Sequence, residues 1–470
     1  MTPTAVLLVV GLNRSLIGPW SPRLKAFAEK GRITRLRPVL PAVTCSVQSS
    51  MLTGLPPHGH GIVGNGWYDR DLAEVQFWKQ SNRLVQGEKV WETARRLAAA
   101  RGSESAGRAD NRFTCANLFW WYNMYSSADW SVTPRPMYKA DGRKIPDVYS
   151  EPVELRRDLQ KKLGQFPLFK FWGPGASIES SRWIADAARI VHEQHHPTLT
   201  LVYLPHLDYA LQKLGPGHAE IHAEVAKVDT LVGQLLDYFG GQGVRVMIVS
   251  EYGIESVDDA VPINRVLRSA GFLRVRDEQG LELLDAGASQ AFAVADHQVA
   301  HVYVREAEQV PRVADLCRGV PGVASVLDGQ GKVDAGIDHS RAGDLLLIAE
   351  ARRWFSYHYW LDDAKAPDFA RTVDIHRKPG YDPLELFIDP AIRWPKLKVA
   401  WRLMQKSLGV RMLMDVVPLD AKLVRGSHGR IEQDAEHQPV MITQHETGIS
   451  GEEASCCAVR DAVLRHLDLA

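Results

Sequence analysis

Thiol chemistry is scarce in this chain. Its 470 residues hold five cysteines, Cys45, Cys115, Cys317, Cys456 and Cys457, an odd number with no Cys-x-x-Cys pair. That argues against a disulfide framework or a thiolate zinc centre, and predicts a reducing, cytoplasmic setting. A bound metal would then draw on Asp, Glu, His, Asn, Gln or Thr. Net charge is missing too. Lys+Arg and Asp+Glu number 56 each, so nothing overall marks a binder of nucleic-acid polymers or of membrane surfaces. No apolar run is long enough to span a bilayer. The opening MTPTAVLLVVGLN lacks the basic n-region and small-residue cleavage site of a signal peptide. Internal repeats and long low-complexity stretches are also absent.

What is present is apolar bulk and alternating elements. Hydrophobic residues make up 45%, enough for a large core in a chain of this length. The length suits either several domains or one α/β core with an insertion. Ala5–Val10 is a continuous apolar run closed by Gly11, the pattern of a strand buried on both faces. Thr198–Leu204 and Val244–Ser250 repeat it. Helical spacing covers Pro22–Lys30, Lys89–Ala100, Ser180–Gln194 and Ala219–Phe239, then Lys396–Ser407 and Glu452–Leu467. Strands alternating with helices predict an α/β fold with a mostly parallel sheet. Ligand sites in such sheets lie beyond the carboxyl ends of strands. Asp208 and Glu251 fall just past two of them.

From Pro262 to Ala366 the pattern changes to short strands, Val302–Val304, Val323–Leu327 and Leu345–Ala349, with a helix over Val310–Cys317. We expect residues 262–366 to form an inserted small α+β subdomain, and 1–261 with 367–470 to form the catalytic core. Pro134–Pro152, rich in Pro, Gly and charge, reads as a long loop of the kind that rims active sites. Asn117–Tyr125 (NLFWWYNMY) is either a packed core loop or a platform on which Trp120 and Trp121 meet a flat substrate.

Chemistry concentrates in Pro41–Asn65 (PAVTCSVQSSMLTGLPPHGHGIVGN). A Thr-Cys-Ser start precedes a helix over Val47–Leu52. Free backbone N–H groups and the helix dipole make such a start an anion site. Thr44 is therefore either an N-cap or a nucleophile aimed at a phosphoryl group. His58 and His60 shape the loop. His192, His195 and His196 end a helix, where positive charge suits the dipole.

PxxT followed by LTGxxPxxHGI and Asn65 resembles the alkaline phosphatase superfamily, and within it the type I nucleotide pyrophosphatase/phosphodiesterase family. LPHLD around Asp208, IVSEYG around Glu251 and GSHG around His428 follow in the family's order. The resemblance implies an alkaline-phosphatase-like core and hydrolysis of phosphodiester, pyrophosphate or phosphomonoester bonds in a small phosphorylated molecule. It implies Thr44 as the residue that becomes covalently phosphorylated and Asn65 as a steadying partner of a phosphoryl oxygen. It also implies two zinc ions about 4 Å apart that activate the nucleophile and hold the charged oxygens. Departures accompany the match. Val10 stands where the family carries a carboxylate, Gln212 where it carries a histidine, and Glu251-Tyr252 where it carries Asp-His. Asp208 and His428 keep the usual ligand types. An oxygen-rich set of Asp208, Gln212, Glu251 and Tyr252 with His428 suits Mg²⁺ or Mn²⁺ better than zinc. Asp374 and His376, alternate residues of one extended stretch, form a further ligand pair, Asp296-His297 another, and Lys378 a candidate phosphate contact; each is equally readable as a surface or supporting residue. Two outcomes follow: a metal-dependent hydrolase, or a metal-poor pseudoenzyme that binds a phosphorylated ligand. Phosphonate or sulfate ester cleavage is a third.

Overall fold

In this computed structural model, residues 1–103, 112–140 and 142–470 are described. Nine strands form one sheet in the order Glu453–Ser455, Arg32–Arg37, Val440–Thr443, Arg245–Val249, Thr4–Val9, Leu199–Leu204, Cys115–Leu118, Trp130–Pro134 and Val148–Glu151. The sheet is mostly parallel, as expected. Thr4–Val9 runs parallel to both Leu199–Leu204 and Arg245–Val249, and only Val440–Thr443 and Val148–Glu151 pair antiparallel with their neighbours. The central strands read TAVLLV and LTLVYL because both faces are covered, and all their residues are buried. Covering helices include Ile178–His195 and Ile221–Gly241, whose apolar residues join the same core.

Register decides where the site lies. Leu8 sits beside Tyr203 on one side and Val249 on the other, so three parallel strands end together. Val10, the Pro205–Asp208 turn and Ser250–Tyr252 therefore leave the sheet at one edge.

A second sheet is antiparallel, in the order Ala291–Asp296, Val299–Val304, Leu345–Ala349 and Val323–Leu327. Its apolar core also takes Cys45, Ile62, Val63, Trp67 and Phe77 from the segment after Thr44. The first hairpin turns on His297 and Gln298, with His297 in the left-handed region at φ 61°. Its first strand was not expected. The AFAVAD run is as apolar as a helix segment, and periodicity alone does not separate the two.

Three expectations need revision. The 134–152 stretch contains the strand pair Met137–Tyr138 with Lys144–Ile145, then the sheet strand Val148–Glu151; Asp141 within it lies outside the described residues. The tail is a strand, Glu453–Ser455, before its helix, Val459–His466. The helix Pro395–Ser407 forms where expected, yet it contains no buried residue.

Candidate active site

The helix after the basic strand begins earlier than its apolar residues suggest. It spans Thr44–Thr53, and all ten residues are buried. Val43 is the extended cap residue and makes no side-chain cap bond. Thr44 is thus the first helical residue, and its hydroxyl is not spent on capping. That hydroxyl lies 3.1 Å from the Tyr252 hydroxyl, which donates to Asp208 Oδ1 at 3.3 Å. Asp208 sits in the first turn of the His206–Leu214 helix, directly after a central strand. Four residues on, Gln212 donates to Asp208 Oδ2 at 2.8 Å and accepts from Tyr381 at 3.0 Å.

Asn65 is held from two sides. Its Oδ1 accepts the Cys45 N–H at 3.0 Å, one of the N–H groups opening the Thr44 helix. Its own N–H and Nδ2 donate to the two Asp296 oxygens at 2.8 and 3.0 Å. Asp296 is the last residue of the Ala291–Asp296 strand, so the second sheet braces the loop that ends at Asn65.

His428 is oriented by Nδ1–H donating to the Ala42 carbonyl at 2.8 Å, and Ala42 N–H donates to the Gly429 carbonyl at 2.8 Å. Its Nε2 therefore faces the site, 3.8 Å from Asp208 Oδ1. Four rings stack through this point. Tyr252, His428, His297 and Tyr381 follow one another with successive centroids 3.6 Å apart.

Burial sets the charge. It pushes Asp208 up to about 7, against the lowering hydrogen bonds from Gln212 and Tyr252. It pushes Glu251 up to about 8, with the neighbouring Asp208 charge adding to the rise. Asp296 rises to about 7 for the same first reason, and burial lowers His428 to about 3. Glu251 Oε1 accepts from Gln48, and its Oε2 is buried without a hydrogen-bond partner.

These residues do not fit a two-zinc cradle. Val10 offers no donor atom, Gln212 supplies a neutral amide already shared between Asp208 and Tyr381, and the Tyr252 phenol occupies the space between Thr44 and Asp208. Burial and the Asp208 and Glu251 charges hold that phenol well above its ordinary value, so it is a neutral hydroxyl. Among the described residues, no three His, Cys, Asp or Glu side chains converge as a metal site.

A cavity of about 1020 Å³ opens above Thr44. Asp208, Tyr252, His297 and His428 share its floor, Trp78, Trp121, Trp172 and Tyr381 its walls, and Lys139, Lys144 and Lys170 also line it. Of the other candidates, His376 lines the cavity, whereas Asp374 does not; its N–H donates to Glu385. The two tryptophans part company. Trp121 lines the cavity and donates its backbone N–H to Gln48 Oε1 at 2.6 Å, but Trp120 packs into the main core. Lys378 is not a phosphate contact. It is buried against Asp382 and Glu385 at 2.7 and 2.8 Å and donates to the Thr372 carbonyl at 2.8 Å. Gln48 was not anticipated, although its place four residues after Thr44, one helical turn on, is a readable signal. Nothing local in the sequence marks Tyr381.

Residues 4–382 match the family described as type I phosphodiesterase / nucleotide pyrophosphatase. An uncharacterized pyrophosphatase/phosphodiesterase of Schizosaccharomyces pombe is 22% identical over 251 residues, 51% of this chain and 42% of that protein. Ectonucleotide pyrophosphatase/phosphodiesterase family member 1 of Mus musculus is 23% identical over 292 residues, 58% of this chain and 26% of that protein. The chain thus spans less than half the length of these relatives. Among solved structures, phosphonoacetate hydrolase from Sinorhizobium meliloti with phosphonoformate superposes with a TM-score of 0.60 at 14% identity, covering 99% of this chain and 96% of that one. Murine ectonucleotide pyrophosphatase/phosphodiesterase 5, as an inactive form with AMP, gives a TM-score of 0.57 at 13% identity, covering 100% and 96%. The fold is that of the alkaline phosphatase superfamily, and the chain belongs to the type I phosphodiesterase/nucleotide pyrophosphatase family.

Proposed function

We propose that this chain cleaves a phosphodiester or pyrophosphate bond of a small phosphorylated molecule, with Thr44 as the nucleophile. One observation carries the reading: the uncapped Thr44 hydroxyl at a helix start, on the cavity floor, 3.1 Å from a hydroxyl that itself donates to Asp208. The helix N-terminus favours the negative phosphoryl oxygens. Thr44 Oγ1 attacks phosphorus while its proton passes to the Tyr252 oxygen and the Tyr252 proton passes to Asp208. The bond to the leaving oxygen breaks, that oxygen takes a proton from solvent, and water then attacks the phosphorus on Thr44, releasing the phosphate monoester that keeps the substrate's other group and restoring the Thr44 hydroxyl. No step is routed through an ion, because the donor set does not fit the metal pair. In the same reading, residues 1–261 and 367–470 are the catalytic core, and 262–366 an insertion that supplies Asp296 and His297. Release of p-nitrophenol from bis(p-nitrophenyl) phosphate tests it, with the metal content of the same sample measured alongside. Thr44-dependent release supports the reading, and equal release by Thr44→Ala overturns it.

A second reading rests on Val10, Gln212 and Tyr252: the pocket binds a phosphorylated ligand without turning it over. AMP or phosphonoacetate binding by calorimetry, with no hydrolysis at any divalent-ion concentration, distinguishes it. Hydrolysis of phosphonoacetate instead of the diester would assign phosphonate chemistry.

A further inference from the structure

The overall charge balance conceals a local imbalance. Between Asp389 and Asp415 lie Arg393, Lys396, Lys398, Arg402, Lys406 and Arg411, and no acidic residue. This segment holds the Pro395–Ser407 helix, in which no residue is buried. Thirteen helical residues without a buried one are not held by a hydrophobic core of their own. The apolar residues are nevertheless ordered around the helix. Trp394, Leu397, Trp401, Met404 and Leu408 fall on one stripe, and they are 62, 67, 55, 44 and 72% exposed. The opposite side, through Val399 and Leu403, lines the cavity above Thr44, as do Val410 and Met412 just beyond the helix. The helix is therefore a wall of the cavity mouth with a second apolar face turned outward.

We propose that this stripe is the docking surface for a bilayer containing anionic lipid, and that it sets the cavity mouth against the membrane. No helix among the described residues is long and apolar enough to cross a bilayer, so attachment is interfacial. The composition fits that mode: Trp and Leu on one side of a helix, Lys and Arg beside them, and no acid within the segment. Asp415, at the segment's end, offsets part of the charge, binding Lys398 at 2.8 Å and Arg402 at 2.9 Å. Charge also decides against the other occupants. A second copy seated on the stripe would bring two acid-free basic segments together, which repel. A nucleic acid would use the basic groups but leave the Trp–Leu–Met stripe in water.

Flotation of the full chain with phosphatidylcholine vesicles, with and without phosphatidylglycerol, tests the proposal. We expect flotation only with phosphatidylglycerol, weakening as salt rises. Trp394→Ala with Trp401→Ala should weaken partitioning about tenfold or more. Arg393→Glu with Lys396→Glu should weaken it by a similar factor. None of these four residues lines the cavity or is buried, so unfolding temperature and turnover of a soluble ester should not move. Absence of flotation with either vesicle overturns the proposal, as does a tryptophan variant that floats like the parent. A dimer in solution that the tryptophan variant dissociates, without vesicle binding, assigns the stripe to a second copy and overturns it too. Binding to duplex DNA, equal in parent and tryptophan variant and without vesicle binding, does the same.

Discussion

Thr44 is distinguished by what its hydroxyl does not do. A threonine at a helix start ordinarily satisfies a backbone N–H, but Val43 occupies the cap and leaves the Thr44 hydroxyl to Tyr252. Thr44→Ala is expected to lower turnover by about 10³-fold or more. It should cost only about 1 kcal/mol of stability, the net worth of one hydrogen bond; an unfolding midpoint far below the parent's would make the residue structural instead. Tyr252→Phe retains the ring stacked on His428 and removes only the relay hydroxyl. A fall of about 10²-fold in kcat with little change in KM is expected, and full activity would remove Tyr252 from the proton path. In the proposed mechanism the proton ends on Asp208, which burial raises to about 7. The carboxyl accepts a proton only when ionised, so kcat should rise with pH through about 7, and Asp208→Asn should abolish both the rise and most of the rate.

At the scale of elements, the segment after Phe369 shows what a linear reading could and could not see. Lys378 looked like a free cation near a phosphate, yet its partners are four and seven residues away in the same chain, Asp382 and Glu385. That pairing was legible in the spacing; the full burial of all three groups was not. The cluster anchors the stretch that carries Tyr381 onto His297. Lys378→Met leaves two carboxyls buried without their cation, and a loss of about 3–5 kcal/mol is expected in chemical denaturation. Activity per folded molecule should persist, since Lys378 does not line the cavity. The central strands and the Thr44 loop were readable because local pattern alone specifies them: unbroken apolar runs, and fixed spacing around one helix start. The four-ring stack was not readable. Its members come from the Ser250–Ile254 turn, the His428 loop, the His297 hairpin turn and the Tyr381 segment, and only the register of two sheets brings them together. Adjacent tryptophans carry the same lesson. One enters the core and the next faces the cavity, a difference set by backbone direction in a loop without periodicity.

For the molecule as a whole, buried titratable groups predict a stability maximum close to pH 6.5. Burial lowers His60, His358 and His428 to about 3, and His301 and His466 to about 4. The unfolded chain binds protons at these sites near pH 6.5 while the folded one does not, so stability falls as pH drops below that value. The carboxyls act in the opposite sense. Asp208 and Asp296 at about 7 and Glu251 at about 8 keep their protons in the folded state, whereas unfolded carboxyls have lost theirs above about 4.5. Folding then takes up protons, and stability falls as pH rises until the folded values are passed. Below pH 6.5 the two sets oppose each other and the more numerous histidines dominate. Between pH 6.5 and 8 the histidines are neutral in both states, and the carboxyls, joined by Glu255 that burial raises to about 7, outnumber the opposing Cys457 thiol, which the Cys456 hydrogen bond lowers to about 6. Scanning calorimetry should therefore show the unfolding midpoint falling across that upper interval, and Asp208→Asn combined with Glu251→Gln should flatten the fall. The same interval tests the metal question without any assay of turnover. A cation held by Asp208 or Glu251 requires them ionised, so it would displace their protons and raise the midpoint more at pH 8 than at pH 6.5. Added Zn²⁺ or Mn²⁺ that leaves the slope in place agrees with a site whose floor is organised by Tyr252; a slope reversed by the ion would show that the carboxyls accept a metal after all.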